Sequence, residues 1–196
     1  MVYRSAVALA KDDAHALSER LSPDTQVLDW ASRRANALCD AGTLRGLAGE
    51  RWSPVMDDLL TVAAAVHLAD IASPRGQNEA WVRALHITIP VHDPGLWAGQ
   101  SVLLSHLLYT LTRDSFALQF TEREPQAPGV GEPAAGIDCV CLLSGGLDSL
   151  AGAAMAVTTG RRPLLLSHAS GNPTAEMAQR DAAQTVEKLA PGRARW

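Results

Sequence analysis

The sequence is poor in cysteine and in aromatic residues, has no long apolar run and carries no excess of positive charge. Each shortage removes a class of protein. Cys39, Cys139 and Cys141 are its three cysteines, too few for a disulfide framework. They read as small buried hydrophobes, and no metal site is expected from them. No stretch approaches the ~20 apolar residues that span a bilayer. The apolar run near Met1 is too short for a signal peptide. A cytoplasmic protein with no membrane partner is the expectation. The net charge of -4 gives no global basic field, which disfavours nucleic acid as a partner of this chain alone. The pairs Arg161–Arg162 and Arg193/Arg195 are small basic clusters and read as solvated surface charge. The five tryptophans are scattered, which suits packing better than a platform for stacked bases.

What is present suffices for a core. The chain has 196 residues, 47% hydrophobic and 19% charged, enough for one large or two small domains. Val2 to Leu9 is predicted as a strand and Asp12 to Leu21 as a short helix. Thr25 to Cys39 has helix-like apolar spacing. Ser53-Pro54 is a strong helix start, and the helix is expected to reach Ala72. Its core stripe is expected at Val55, Leu59, Val62, Val66 and Ala69. Trp81 to Val91 alternates as a strand. A turn at His92-Asp93-Pro94-Gly95 follows, then a helix with Trp97, Val102, Leu104, Leu107, Leu108 and Leu111 as its apolar positions, ending near Thr112. Ser115 to Thr121 is a further strand. Together these predict an N-terminal α+β domain over residues 1–121. Its histidines His67, His86 and His92 lack tight ligand spacing and read as structural. Residues 122–136, with three prolines and three glycines, read as a linker.

The chemistry concentrates after the linker. Val140 to Leu143 is a short apolar run, predicted as a buried parallel strand. It stops at Ser144-Gly145-Gly146, and an alanine-rich helix is expected from Asp148 to Val157. Strand, glycine turn and helix in that order aim free amides and the positive helix end at an anion. Paired glycines permit positive φ and close backbone approach. Ser144 and Ser149 add hydroxyl donors. The lysine of the G-x-x-x-x-G-K-[ST] pattern is missing. Asp148 would repel phosphate unless a divalent cation lies between, so it implies Mg²⁺ or a role in orienting the loop amides.

Ser144-Gly145-Gly146-Leu147-Asp148-Ser149 after an apolar strand resembles the PP-loop of the N-type ATP pyrophosphatase superfamily. Pro163 to His168 and the helix after Asn172-Pro173-Thr174 resemble that family's second strand and helix. Within the superfamily the chain is most similar to 7-cyano-7-deazaguanine synthase (QueC-like) proteins. Its N-terminal part, with the Trp81 to Val91 strand, Asp93-Pro94 and Trp97, resembles that of QueC-like proteins of bacterial anti-phage systems. The resemblance implies an α/β fold: the N-terminal α+β domain, then the first part of a parallel-sheet PP-loop (adenine nucleotide alpha hydrolase-like) domain over residues 137–196. It implies ATP and Mg²⁺ as cofactors and an adenylating reaction on a 7-deazapurine or related carbonyl or carboxylate group, with pyrophosphate released. Ser144, Gly145, Gly146, Asp148 and Ser149 would form the pyrophosphate site, with Asp148 and Ser144 as the catalytic candidates. Leu147 is expected to pack. Ser167 and His168, at the end of the second strand, are candidates for contact with nucleotide or substrate. A surface or capping role suits His168 equally.

The family's zinc-binding cysteine cluster has no counterpart in this sequence. A doubly wound domain needs ~100 residues to cover both sheet faces, more than follow the linker. The expectation is therefore a truncated or split PP-loop domain, weak or inactive alone, completed by a second chain. The alternative is a non-catalytic nucleotide-binding or protein-interaction module.

Overall fold

The computed structural model describes residues 4–9, 25–29, 52–73, 75, 82–123, 136–169 and 171–196. The predicted helix over 12–21 lies outside them. The chain divides into two compact units, Met1–Pro133 and Ala134–Trp196. The division falls within residues 122–136, the expected linker, of which residues 124–135 lie outside the described ones. The folded part reaches further than the sequence indicates, however. Glu122 closes a strand, and Arg123 is buried with its amide bonded to Val91 O.

Unit 1 holds β1 (Arg4–Leu9), β2 (Thr25–Asp29), β3 (Ala84–Val91) and β4 (Ser115–Glu122) in the order β2-β1-β3-β4. All three ladders are parallel. Parallel neighbours require crossover connections, so this unit is an α/β arrangement and not the expected α+β one. Leu85, Ile87, Ile89 and Val91 of β3 are fully buried, as befits a central strand. Thr25–Asp29 is a strand where the spacing suggests a helix. Val27 and Leu28 fit either period, and pairing with β1 (Ser5 opposite Thr25) decides the matter.

Helix α1 (Pro54–Ala72) starts where expected: Ser53 Oγ accepts from Met56 N and Pro54 fills the first turn. Its buried face matches the expected one in part: Val62 and Ala69 are buried and Val66 packs against the core. Val55 and Leu59 are exposed, while Asp57, Asp58, Thr61, Val62, Ala65 and Ala69 are buried. Carboxylates go inside only when they are paired, and these are. Asp57 pairs with the Arg123 guanidinium and accepts from Trp52 Nε1. Asp58 accepts from His92 N at 2.8 Å, His92 Nδ1 at 2.7 Å and Trp97 Nε1 at 3.0 Å. Two polar anchors thus rotate the helix away from its most apolar stripe.

Helix α2 (Pro94–Thr112) is capped by Asp93, whose carboxylate accepts from Leu96 N. Arg113, at φ 65°, ends it in the left-handed conformation. Trp97 is its buried residue, and Leu104 and Leu108 pack partly against the sheet. Val102, Leu107 and Leu111, expected inside, are exposed. At the other end of the sheet, buried Asp114 binds Arg75 and Arg83. Burial alone would push its carboxyl up; the Arg83 side chain and amide, with Arg75 nearby, outweigh this and hold it below the ordinary range.

Unit 2 runs β5 (Cys139–Leu142), α3 (Leu147–Thr158), β6 (Pro163–Leu166), α4 (Pro173–Leu189). β5 and β6 are parallel, with Cys139 opposite Pro163. Arg195 adds a parallel bridge to Leu164 on the far side of β6. The core joins Leu143 and Leu165 to Ala153 and Val157 of α3 and Ala182, Ala183 and Val186 of α4. Cys139 and Cys141, two apart, share the half-buried face of β5, and both thiols are free. Val140 and Leu142 share the other face and are exposed, so β5 is not the doubly buried strand expected. No described helix is long and apolar enough to cross a membrane.

Candidate phosphate-binding loop

The loop begins where the sheet ends. Leu143 N donates to Leu166 O at 2.7 Å, the last ladder bond, and Leu143 is buried. Gly145 then turns at φ 87°, a region that side-chain-bearing residues avoid. A Cβ there would lie 2.8 Å from Gln179 N and 3.0 Å from the carbonyl carbon of Ala178. The loop is therefore pressed against the backbone of α4, and only glycine fits. Gly146 is less constrained: an added Cβ would meet only Ser144 Oγ, at 3.5 Å.

Gly146 is also the N-cap of α3 and supplies no side-chain acceptor. α1, α2 and α4 each have one, from Ser53, Asp93 and Asn172. The first amides of any helix have no acceptor within it. Leu150 N reaches Gly146 O. The amides of Leu147, Asp148 and Ser149 find no protein acceptor among the described residues. Asp148 makes no capping bond, so an ordinary acidic cap does not explain its presence.

Ser144 and Ser149 meet across the turn, their hydroxyl oxygens 3.0 Å apart. Ser149 Oγ donates to Gly146 O at 2.9 Å and accepts from Ser144 N. Ser144 Oγ accepts from Gly146 N at 3.3 Å. The hydroxyls thus hold the loop's shape. Asp148 is exposed, and so is Leu147, at 80% of its surface, which corrects the expectation that Leu147 packs.

Of the residues after β6, Ser167 is brought to the base of the loop. Its hydroxyl donates to Leu143 O at 2.9 Å and accepts from Trp196 Nε1 at 3.0 Å. It fastens the two strand ends together. The His168 side chain is exposed, while its carbonyl accepts from Gln179 Nε2 at 3.1 Å. Gln179 is the residue that sequence reading misses: buried, it ties α4 to the end of β6 just where α4 backs Gly145. The available signal is its place one turn before Ala182 and Ala183, on the apolar side of an otherwise polar helix.

The loop carries one carboxylate, that of Asp148. No group of three metal-ligating side chains occurs among the described residues. One carboxylate still suits Mg²⁺, which usually keeps waters and takes phosphate oxygens as its other ligands. At the opposite end of β5, burial, with Asp138 beside it, pushes the Cys139 thiol up, so Cys139 is not a thiolate nucleophile at neutral pH. In unit 1 the structure brings His92 to Asp58 and not to His86.

Compared with known proteins, the chain matches no family model, no curated protein and no solved structure.

Proposed function

We propose that the Ser144–Ser149 loop binds the phosphates of ATP, and that unit 2 is the nucleotide-binding part of a PP-loop adenylating enzyme of the QueC-like kind, acting in phage defence. One observation carries the reading. Three unpartnered amides, those of Leu147, Asp148 and Ser149, open an uncapped helix directly after a parallel strand and a glycine in the left-handed region. Such a helix end attracts anions by ~0.3–1 kcal/mol per well-placed charge, and by up to ~2 when partly buried.

The chemistry this suits is nucleotidyl transfer. A carbonyl or carboxylate oxygen of a 7-deazapurine or related substrate attacks the α-phosphorus of ATP. The new P–O bond forms as the bond to the β-phosphate oxygen breaks, and pyrophosphate leaves with that electron pair. The unpartnered amides and the Ser144 and Ser149 hydroxyls stabilise the departing charge. Asp148 would hold Mg²⁺, which would neutralise phosphate charge. Absence of a loop lysine fits, because the group transferred is adenylyl and not the γ-phosphoryl. Ser167 supports the loop from below, and His168, exposed beside it, is the remaining candidate for substrate contact.

The test is calorimetric titration of Mg²⁺–ATP into the full chain, followed by pyrophosphate release with candidate 7-deazapurine substrates. Loss of a charge-assisted contact costs ~1.5–3 kcal/mol, so Ser144→Ala and Asp148→Ala should each weaken binding by about 10- to 100-fold. Unchanged ATP affinity in both variants would sink the loop assignment. A second reading, a nucleotide-binding module that pairs with another protein chain and lacks turnover, draws on the exposed Val140 and Leu142 face of β5. It is distinguished by tight ATP binding without pyrophosphate release.

A further inference from the structure

Of the two arginine pairs that read in sequence as separate surface charges, Arg162, Arg193 and Arg195 are brought to one place. Arg162 lies just before β6, and the turn after α4 returns the chain so that Arg195 bridges to Leu164. Arg195 N donates to Pro163 O at 3.0 Å, and Leu165 N donates to Arg195 O at 2.7 Å. Between them opens a pocket of about 280 Å³, lined by Arg162, Arg193 and Arg195 with Gly136, Ile137 and Pro163 among the other walls. Among the described residues no carboxylate lines it. Asp138 accepts from Arg162 N, and this bond, with the charges of Arg161 and Arg162 nearby, holds its carboxyl below the ordinary range; Glu187 accepts from Gly192 N. None of the three guanidinium groups is in an ion pair among the described residues.

The Arg162 guanidinium lies beside Gly136, where an added Cβ would sit 2.9 Å from a terminal nitrogen. Gly136 has φ 80°, so its backbone conformation calls for glycine. Arg193 donates to Gly160 O at 3.2 Å, leaving its other donors unused. Guanidinium forks without a carboxylate partner match phosphate oxygens in geometry as well as charge. Among the described residues no aromatic side chain lines the pocket, so they offer nothing for a base to stack on. Its volume lies at the small end of ligand pockets, which suits a compact anion better than a nucleic-acid strand.

We infer that this pocket binds a compact oligophosphate, such as inorganic tripolyphosphate or the phosphate tail of a nucleotide. It lies at the amino-terminal edge of β5 and β6, whereas the Ser144–Ser149 loop lies at the carboxyl edge. A four-residue strand separates the two by about 13 Å. The inference stands whether or not the loop takes ATP.

The experiment titrates tripolyphosphate into the chain carrying Asp148→Ala together with Ser144→Ala, so that the loop's Mg²⁺-dependent and hydroxyl contacts are both weakened. Saturable binding at one site is expected. Arg162→Gln, Arg193→Gln and Arg195→Gln on that background should each weaken it about 10-fold, and the triple variant should abolish it. Arg162→Lys, which keeps the charge and loses the fork, should fall between parent and Arg162→Gln. Thermal melts check that the variants fold; the three side chains belong to exposed residues. A parallel arm with ATP identifies the source: affinity equal to tripolyphosphate means that the phosphate tail alone is read. No binding on the background of Asp148→Ala with Ser144→Ala, or binding that survives the triple variant, overturns the inference. So does an oligonucleotide of about 20 residues that binds more tightly than tripolyphosphate.

Discussion

Replacing Gly145 by alanine tests how the loop is held. At φ 87° an alanine pays about 1–2 kcal/mol for the left-handed conformation. Its Cβ would also stand 2.8 Å from Gln179 N and 3.0 Å from Ala178. These contacts are largely with the backbone of α4, which cannot retreat without dragging Ala182, Ala183 and Val186 out of the core. Overpacking of this kind costs about 1–3 kcal/mol, so the sum is about 2–5 kcal/mol. A unit the size of Ala134–Trp196 has a total stability of about 3–9 kcal/mol. The substitution should therefore bring unit 2 close to its unfolding threshold. Gly146→Ala is the control. There the added Cβ meets one side-chain oxygen at 3.5 Å, φ is -83°, and the cost should stay below about 1 kcal/mol. Urea titration followed by hydrogen exchange at α3 and α4 amides separates unit 2 from unit 1. Equal destabilisation by the two variants, or a Gly145→Ala loss under about 1 kcal/mol, would refute the packing argument.

Two further predictions concern unit 1. Asp58→Ala leaves Trp97 Nε1, His92 Nδ1 and His92 N without their acceptor; the loss should be about 3–5 kcal/mol, read by thermal denaturation, and a loss under about 1 kcal/mol contradicts the anchor role. Asp114 has a depressed folded-state pKa, so its contribution is complete above the unfolded value of about 3.9 and disappears as pH falls through the folded one. Asp114→Asn should thus cost about 3–5 kcal/mol at neutral pH, with the gap to the parent chain closing on acidification below about pH 4. A gap that stays constant or widens in acid would show that Asp114 does not act through its charge.

Local signals in the sequence identify the helix starts well. Ser53-Pro54, Asp93-Pro94 and Asn172-Pro173 each combine a side-chain acceptor with a proline, and both features act within one turn. Asp93-Pro94 reads first as a turn because a capping residue and a turn residue use the same side-chain chemistry. The faces of α1 and α2 are less legible. Apolar spacing puts Val55 and Leu59 inside, yet Asp57 and Asp58 take those places because Arg123, His92 and Trp97 arrive from distant elements to satisfy them. Thr25–Asp29 is misjudged for the same reason: its partner strand lies elsewhere in the chain.

By itself the sequence determined the order of elements in unit 2 and the position of the glycine loop, because strand, turn and cap preferences are short-ranged. Tertiary structure alone decided that unit 1 has an all-parallel sheet, since ladder direction depends on partners far apart in the chain. It also decided which of the two loop glycines is obligatory, since that depends on the backbone of α4 behind Gly145. Finally, it gathered Arg162, Arg193 and Arg195 around one pocket, turning charges that are scattered along the chain into a local field.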